Sequence, residues 1–247
     1  MKRIQQTDII EKLYNSYLKD QKYVKKEGHF SASSAGKCYR EQYYIINNYE
    51  QGDFDDRVRR LLRLGTIVHK DFETAINDKK DQLETTTDLL TEYEVIIPEL
   101  KVVGHLDIAL VNHKEKRVDI YDLKTTGGYK WRLLFGRKPD PNPSFMYELQ
   151  IGTYAIGLMN KYDNYDYTLS LIYYNKDTSA MKVVKKDATH WIDKALEYWT
   201  DLNETLDDID NDKDLIPGGS MGTPMYDWQC RYCGFKEHCP GIFTPAR

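Results

Sequence analysis

The chain has 247 residues, of which 40% are hydrophobic and 30% charged, with a formal net charge of −4 at pH 7. That length supports one sizeable core, and the net charge argues against a broad, purely electrostatic nucleic-acid binder while leaving room for a local basic groove. No long uncharged apolar run is present, which excludes a membrane-spanning helix. The opening MKRIQQTDIIEKLY has no signal-peptide stretch, so a cytoplasmic location in a bacterial, archaeal or phage-infected cell is expected.

Residues 1–30 read as a helix with charged faces, and residues 31–36 as a small-residue loop ending next to Cys38. A second helix is predicted over Phe54–Asn77, where Leu61, Leu64, Val68, Phe72 and Ile76 recur at helical spacing. The period then changes. Tyr93–Ile97, Lys101–Val111 and Arg117–Lys124 are rich in β-branched residues and read as strands, with polar residues 112–116 turning the second back on the third. A Gly- and Pro-containing loop follows over residues 125–144, then a helix over Phe145–Lys161 and strands over Tyr167–Asn175 and Met181–Val184. Ala188–Ile209 is a helix whose apolar stripe is Trp191, Ala195, Trp199, Leu202, Leu206 and Ile209, with its acidic residues solvated. Pro217, Gly218 and Gly219 mark a linker to a cysteine-rich tail.

The residues that carry chemistry fall at strand ends. Side chains alternate along a strand, so Asp122 and Lys124 share a face and Leu123 points the other way, into the core. Asp107, in Gly104-His105-Leu106-Asp107, lies on the neighbouring strand. Two carboxylates, with the Leu123 carbonyl, suit a hard divalent cation such as Mg²⁺ or Mn²⁺. A cation there polarises a phosphodiester and acidifies a water, and Lys124 offsets developing negative charge. Taken alone, Asp122-Leu123-Lys124 reads rather as a surface ion pair. Its position after an apolar strand favours the site, because half-buried charge is costly unless paired or bound to metal. His69, in Gly65-Thr66-Ile67-Val68-His69, offers an imidazole nitrogen, and Glu73 follows one helical turn later. Gln150 and Tyr154, also one turn apart, read alone as a helix-surface pair.

Basic residues gather at Arg57, Arg59, Arg60 and Arg63. Tyr129, Lys130, Trp131 and Arg132 follow the Lys124 strand directly and are expected to contact DNA, the basic groups on phosphates and the rings on unpaired bases. No base-reading motif is present, so little sequence specificity is expected. The four cysteines are Cys38 and the triplet Cys230, Cys233 and Cys239. Nothing points to secretion, so disulfides are not expected. Four thiolates suit zinc or an iron–sulfur cluster.

The order G-x3-H, G-H-L-D, D-L-K, Q-x3-Y resembles the RecB-like branch of the PD-(D/E)XK nucleases, over about residues 31–240. The resemblance implies an α/β, restriction-endonuclease-like core of αβββαβ order, with a mixed central sheet flanked by helices. It implies cation binding by His69, Asp107 and Asp122, a catalytic Lys124, and Gln150 and Tyr154 as the Q-x3-Y pair. The split cysteine set is similar to iron–sulfur nucleases of that branch, among them AddB-type subunits and CRISPR-associated adaptation nucleases. It implies a structural [4Fe–4S] cluster on Cys38, Cys230, Cys233 and Cys239, with zinc as the alternative. The expected organisation is a single domain over 1–247, a nuclease core at 54–175, and cluster-binding segments at 31–40 and 228–241. The expected activity is an exonuclease on DNA ends or single strands, working with a helicase, recombination or CRISPR-adaptation partner. The alternatives are a non-catalytic DNA-binding or assembly subunit and a zinc-stabilised structural protein.

Overall fold

The computed structural model describes residues 6–21, 27–140, 144–211 and 227–239. The elements run α1 (Gln6–Asp20), β1 (Phe30–Ser31), α2 (Tyr39–Ile46), α3 (Asp56–Asp78), β2 (Thr87–Ile97), β3 (Val102–Asn112), β4 (Arg117–Thr126) and α4 (Gly128–Phe135). They continue with α5 (Phe145–Met159), β5 (Asp166–Asn175), β6 (Met181–Lys186), α6 (Ala188–Asn211) and α7 (Asp227–Tyr232). The strands form one mixed sheet. β2 and β4 run antiparallel to β3, β5 parallel to β4, and β6 antiparallel to β5. This is the mixed, helix-flanked α/β architecture that the resemblance implied.

The sheet has one irregularity that positions the site. β2 follows β3 along its whole length, from Val102 to Asn112. The opposite edge of β3 is shared: β1 takes Val102 and Val103, and β4 takes Ile108 to Asn112. Residues 104–107 therefore lie in a gap between two partners. β4 diverges from β3 beyond Tyr121 and continues beside β5 as far as Thr126. Two diverging strands leave unpaired backbone groups, which side chains must satisfy.

The main core lies between the sheet and α5–α6. Val118, Ile120, Leu169, Leu171, Leu149, Ile151, Ala155 and Leu158 are buried there. The stripe of α6 is sunk as its spacing predicts, with Ala195, Trp199, Leu202, Leu206 and Ile209 buried. α6 approaches α5 closely because Gly152 has no side chain: a Cβ there would stand 2.2 Å from the Trp191 carbonyl oxygen. α3 covers the other face, with Phe72 edge-on to Tyr174 at 5.8 Å. Its start is capped by Asp55, whose side chain accepts from the Val58 N–H at 3.0 Å.

Several expectations need correction. α3 buries none of its residues fully, and Leu61, Leu64 and Ile76 are exposed, so its stripe touches the sheet on one flank only. Only residues 6–20 of the predicted N-terminal helix are helical in the described chain, and Phe30 is in a strand. β2 begins at Thr87, earlier than its β-branched run suggests. The 125–144 loop contains α4, an eight-residue helix. The short helix α2, unpredicted, follows Cys38. The Pro217–Gly219 linker lies outside the described residues.

α2 and the tail dock on one another. Gln229 Nε2 donates to the Gly36 carbonyl at 2.8 Å, Tyr44 OH to the His238 carbonyl at 2.9 Å, and the Gly52 N–H to the Gly234 carbonyl at 2.8 Å. Phe235, fully buried, lies 5.5 Å from the Tyr44 ring. The two cysteine-bearing segments are thus neighbours through ordinary hydrogen bonds and apolar contact.

Candidate active site in the strand gap

Asp107 fills the gap between β3 and β4. Its Oδ2 accepts the Leu123 N–H at 2.6 Å, and its Oδ1 lies 3.2 Å from His69 Nδ1 on α3. The loss of β pairing is what frees the Leu123 N–H for this bond. Burial disfavours a charge on His69, but the bond to Asp107 outweighs it, so its pKa is raised. Gly104 is needed three residues earlier, since a Cβ there would lie 2.6 Å from the Ala32 Cβ and 3.1 Å from the Tyr154 ring.

Asp122 and Lys124 project from β4 on the side of α5. Asp122 is 1% exposed. Lys124 Nζ stands 2.7 Å from its Oδ2, but neither Asp122 oxygen accepts a well-aligned hydrogen bond. Burial raises the Asp122 pKa from 3.8 to about 6; Lys124 opposes the shift and Asp107 adds to it. Lys124 is held protonated: burial acts against its charge, but Asp122 and Asp107 outweigh it. Lys124 Nζ also donates to Gln150 Oε1 at 2.8 Å, and Gln150 Nε2 to Tyr154 OH at 2.8 Å. Gln150 and Tyr154 are both buried, unlike the surface pair their spacing alone suggests. They form a relay that fixes the lysine head. Tyr147 adds a ring face 4.8 Å from Lys124 Nζ.

The residues suit a hard cation by chemistry: two carboxylates, one buried beside an ammonium, with an imidazole and a backbone carbonyl. As the chain stands, His69 is bonded to Asp107 and Lys124 to Asp122. Among the described residues, no three His, Cys, Asp or Glu side chains converge closely enough to grip an ion.

Sequence reasoning missed Glu92. β2 keeps register on both sides of it, with Thr91 opposite Ile108 and Tyr93 opposite Leu106, but Glu92 takes a left-handed backbone, φ 46°, beside Asp107. Such a conformation is uncommon for a residue with a Cβ, and it falls where the register of β2 on β3 skips a residue. Glu92, Glu73, His69 and Asp107 line one pocket, and the Glu92 pKa is raised by burial and then by the two other carboxylates. No spacing in the sequence signals it.

Tyr129, Lys130, Trp131 and Arg132, expected from the sequence to contact DNA, lie on α4. Tyr129 is 71% exposed and Arg132 is exposed. Lys130 Nζ donates to Tyr147 OH at 2.6 Å, and Trp131 turns to the core, edge-on to Phe135 at 4.8 Å. Of the α3 arginines, Arg59 pairs with Asp53 and Asp56, and Arg60 bonds Asn15 at 2.7 Å and Glu11 at 3.2 Å. The four cysteines are half-buried and form no disulfide.

No curated protein matches the chain. A solved structure described as "Crystal structure of SSO0001" is similar over 97% of this chain and 98% of its own, at 17% identity and a TM-score of 0.53. That likeness concerns the fold. Residues 76–240, which include Asp107, Asp122, Lys124, Gln150 and Tyr154, match the family model of the PD-(D/E)XK nuclease superfamily. The match covers about two-thirds of the chain, and the protein belongs to that superfamily.

Proposed function

We propose that this protein is a Mg²⁺- or Mn²⁺-dependent deoxyribonuclease of the RecB-like branch, acting as an exonuclease on single strands or DNA ends. The observation that carries this reading is Asp122, a fully buried carboxylate without aligned donors, beside an ammonium and near a second carboxylate. His69, Asp107, Asp122 and the Leu123 carbonyl would hold the cation. When bound, it supplies Lewis-acid polarisation of the phosphodiester and a more acidic water. The chain's own residues do the rest. The Leu123 N–H and His69 fix Asp107. Lys124, steadied by Gln150 and Tyr154, orients the attacking water and neutralises charge building on the phosphoryl oxygens. Tyr129, Lys130, Trp131 and Arg132 on α4 guide the strand, with Tyr129 free to stack on a base.

The cysteine quartet, in this reading, holds a structural [4Fe–4S] cluster that joins segments 31–40 and 228–241 around a nuclease core at 54–175. The protein works in the cytoplasm; no helix of the described residues is long and apolar enough to cross a membrane.

The test is a digestion series on end-labelled single- and double-stranded linear DNA and on closed circles, with Mg²⁺, Mn²⁺ or EDTA. Cation-dependent loss of linear strands, with circles spared, is expected. Intact DNA under every cation would leave a DNA-binding assembly subunit in its place.

Two further outcomes separate the parts. Saturating Mg²⁺ or Mn²⁺ should raise the Tm of the wild type by several degrees, since a ligand at about 100 times its Kd stabilises by about 2.7 kcal/mol. EDTA reverses the gain, and Asp122→Asn lacks it; an equal gain in that variant puts the cation elsewhere. Cys230→Ala should bleach a brown chromophore in the purified protein and lower its Tm, and an unchanged visible spectrum removes the cluster.

A further inference from the structure

Tyr147, on the first turn of α5, joins two lysines. Lys130 Nζ, from α4, lies 4.0 Å from the centre of the Tyr147 ring and donates to its hydroxyl at 2.6 Å. Lys124 Nζ, from β4, lies 4.8 Å from the same ring centre. One half-buried ring thus ties the helix that follows β4 to the lysine near the end of that strand. Each contact uses the electron-rich face of a phenol, which attracts a cation.

The charges around the ring do not balance. Lys124 has Asp122 at 2.7 Å, but among the described residues no carboxylate forms an ion pair with Lys130. The carboxylates on adjoining segments are engaged elsewhere. Glu148, the next residue on α5, pairs with Lys186 and accepts from Ser144 Oγ at 2.8 Å, and Asp177 accepts the Gly128 N–H at 2.6 Å. Two cations therefore share one ring with a single carboxylate to balance them. Like charges repel, and a local surplus of one positive charge favours an anion carrying one negative charge. A phosphodiester of a DNA strand has that charge, and its bonds to an ammonium are of the strong, charge-assisted kind. Tyr129, next to Lys130, is 71% exposed, so α4 is open where a strand would arrive. α4 is already anchored to the sheet by Phe135, edge-on to Tyr173 at 5.3 Å, so docking that helix does not call for the Lys130–Tyr147 bond.

We propose that Lys130 and Tyr147 form a phosphate subsite for the DNA strand: Lys130, aimed by the Tyr147 hydroxyl, takes a phosphate beside the scissile one, while the Tyr147 ring holds Lys124 for the scissile phosphate itself. Tyr147 is a positioning residue that acts through the two lysines. The role of Lys124 rests on the nuclease reading; the grip of Lys130 on the strand needs no bound cation.

The experiment uses the full chain as wild type, Lys130→Met, Tyr147→Phe, Tyr147→Leu and the pair Lys130→Met with Tyr147→Phe, each checked by circular dichroism. A fluorescein-labelled single-stranded oligonucleotide is titrated in EDTA over a series of KCl concentrations. Lys130→Met should bind about fivefold more weakly and flatten the slope of log K against log salt by about 0.7, the share of one phosphate on a single strand. Tyr147→Phe should move both in the same direction. The pair should bind no more weakly than Lys130→Met alone, because the two substitutions break one contact. Wild-type salt slopes in both single variants overturn the subsite, as does a wild type that leaves the oligonucleotide unbound. Effects that multiply in the pair overturn the part of the hydroxyl in aiming Lys130. Cleavage of the same strand with Mn²⁺ then reads the ring. Tyr147→Phe should raise KM more than it lowers kcat, whereas Tyr147→Leu, which also takes the ring from Lys124, should lower kcat about tenfold. Equal kcat in those two variants overturns the hold of the ring on Lys124. An oligonucleotide left intact under every cation, with the expected salt slopes, overturns the nuclease reading and leaves the phosphate subsite standing. Should Tyr147→Leu not fold, Tyr147→Met takes its place.

Discussion

Asp122→Asn is expected to lower cation-dependent DNA cleavage by on the order of 10³-fold or more, the scale seen when a preorganised electrostatic group is removed. The substitution changes one charge and almost no volume. Asp122 is buried against α5, so the loss of its charge falls first on Lys124, 2.7 Å away. The buried Lys124 loses its closest partner but keeps Gln150 at 2.8 Å and the Tyr147 face. The fold should survive, seen as an unchanged circular dichroism spectrum, while single-turnover cleavage falls at saturating Mg²⁺ and at saturating Mn²⁺. Lys124→Ala should show a similar loss of turnover, with cation binding retained by the Tm gain described above. Wild-type rates in both variants would remove the strand gap as the hydrolytic centre.

Trp199→Ala is expected to cost about 3–5 kcal/mol of stability, a large share of the roughly 5–15 kcal/mol available to a folded domain. Trp199 is fully buried on α6, where it stacks on Phe30 at 5.7 Å and meets Tyr198 edge-on at 4.9 Å. Its Nε1 donates to Thr153 Oγ1 at 2.8 Å on α5. Truncation would open a cavity between the two helices and the short strand β1. The loss should be read as a lower denaturant midpoint at unchanged slope. Trp199→Phe keeps the apolar contact and loses the hydrogen bond, at about 1 kcal/mol. A loss below about 1 kcal/mol in Trp199→Ala would show that the helix pair is held elsewhere.

The legible parts of the sequence were those where periodicity and burial agree. β3, β4 and β5 were read nearly to their ends, because their β-branched runs lie in a sheet covered on both faces. α5 and α6 were legible because their apolar spacing matches a buried face. α2 was not: Arg40, Glu41 and Gln42 are polar, yet they are buried beside partners far along the chain, Arg40 against Cys239 in the tail and Gln42 against Tyr198 on α6. α4 hid in a stretch whose Gly and Pro signal a loop. Glu92 was invisible because its role depends on one backbone angle in an otherwise regular strand.

The sequence by itself determined the donor chemistry: which carboxylates, which lysine, which cysteines, and in what order along the chain. It also determined the alternation that puts Asp122 and Lys124 on one face, since a strand's period of two is a local property. Tertiary structure alone decided convergence. Asp107 reaches the Leu123 N–H because β3 changes partners in mid-strand, and Gln150 reaches Lys124 because α5 crosses that face of the sheet. Both depend on contacts between residues far apart in the chain, which local spacing cannot encode.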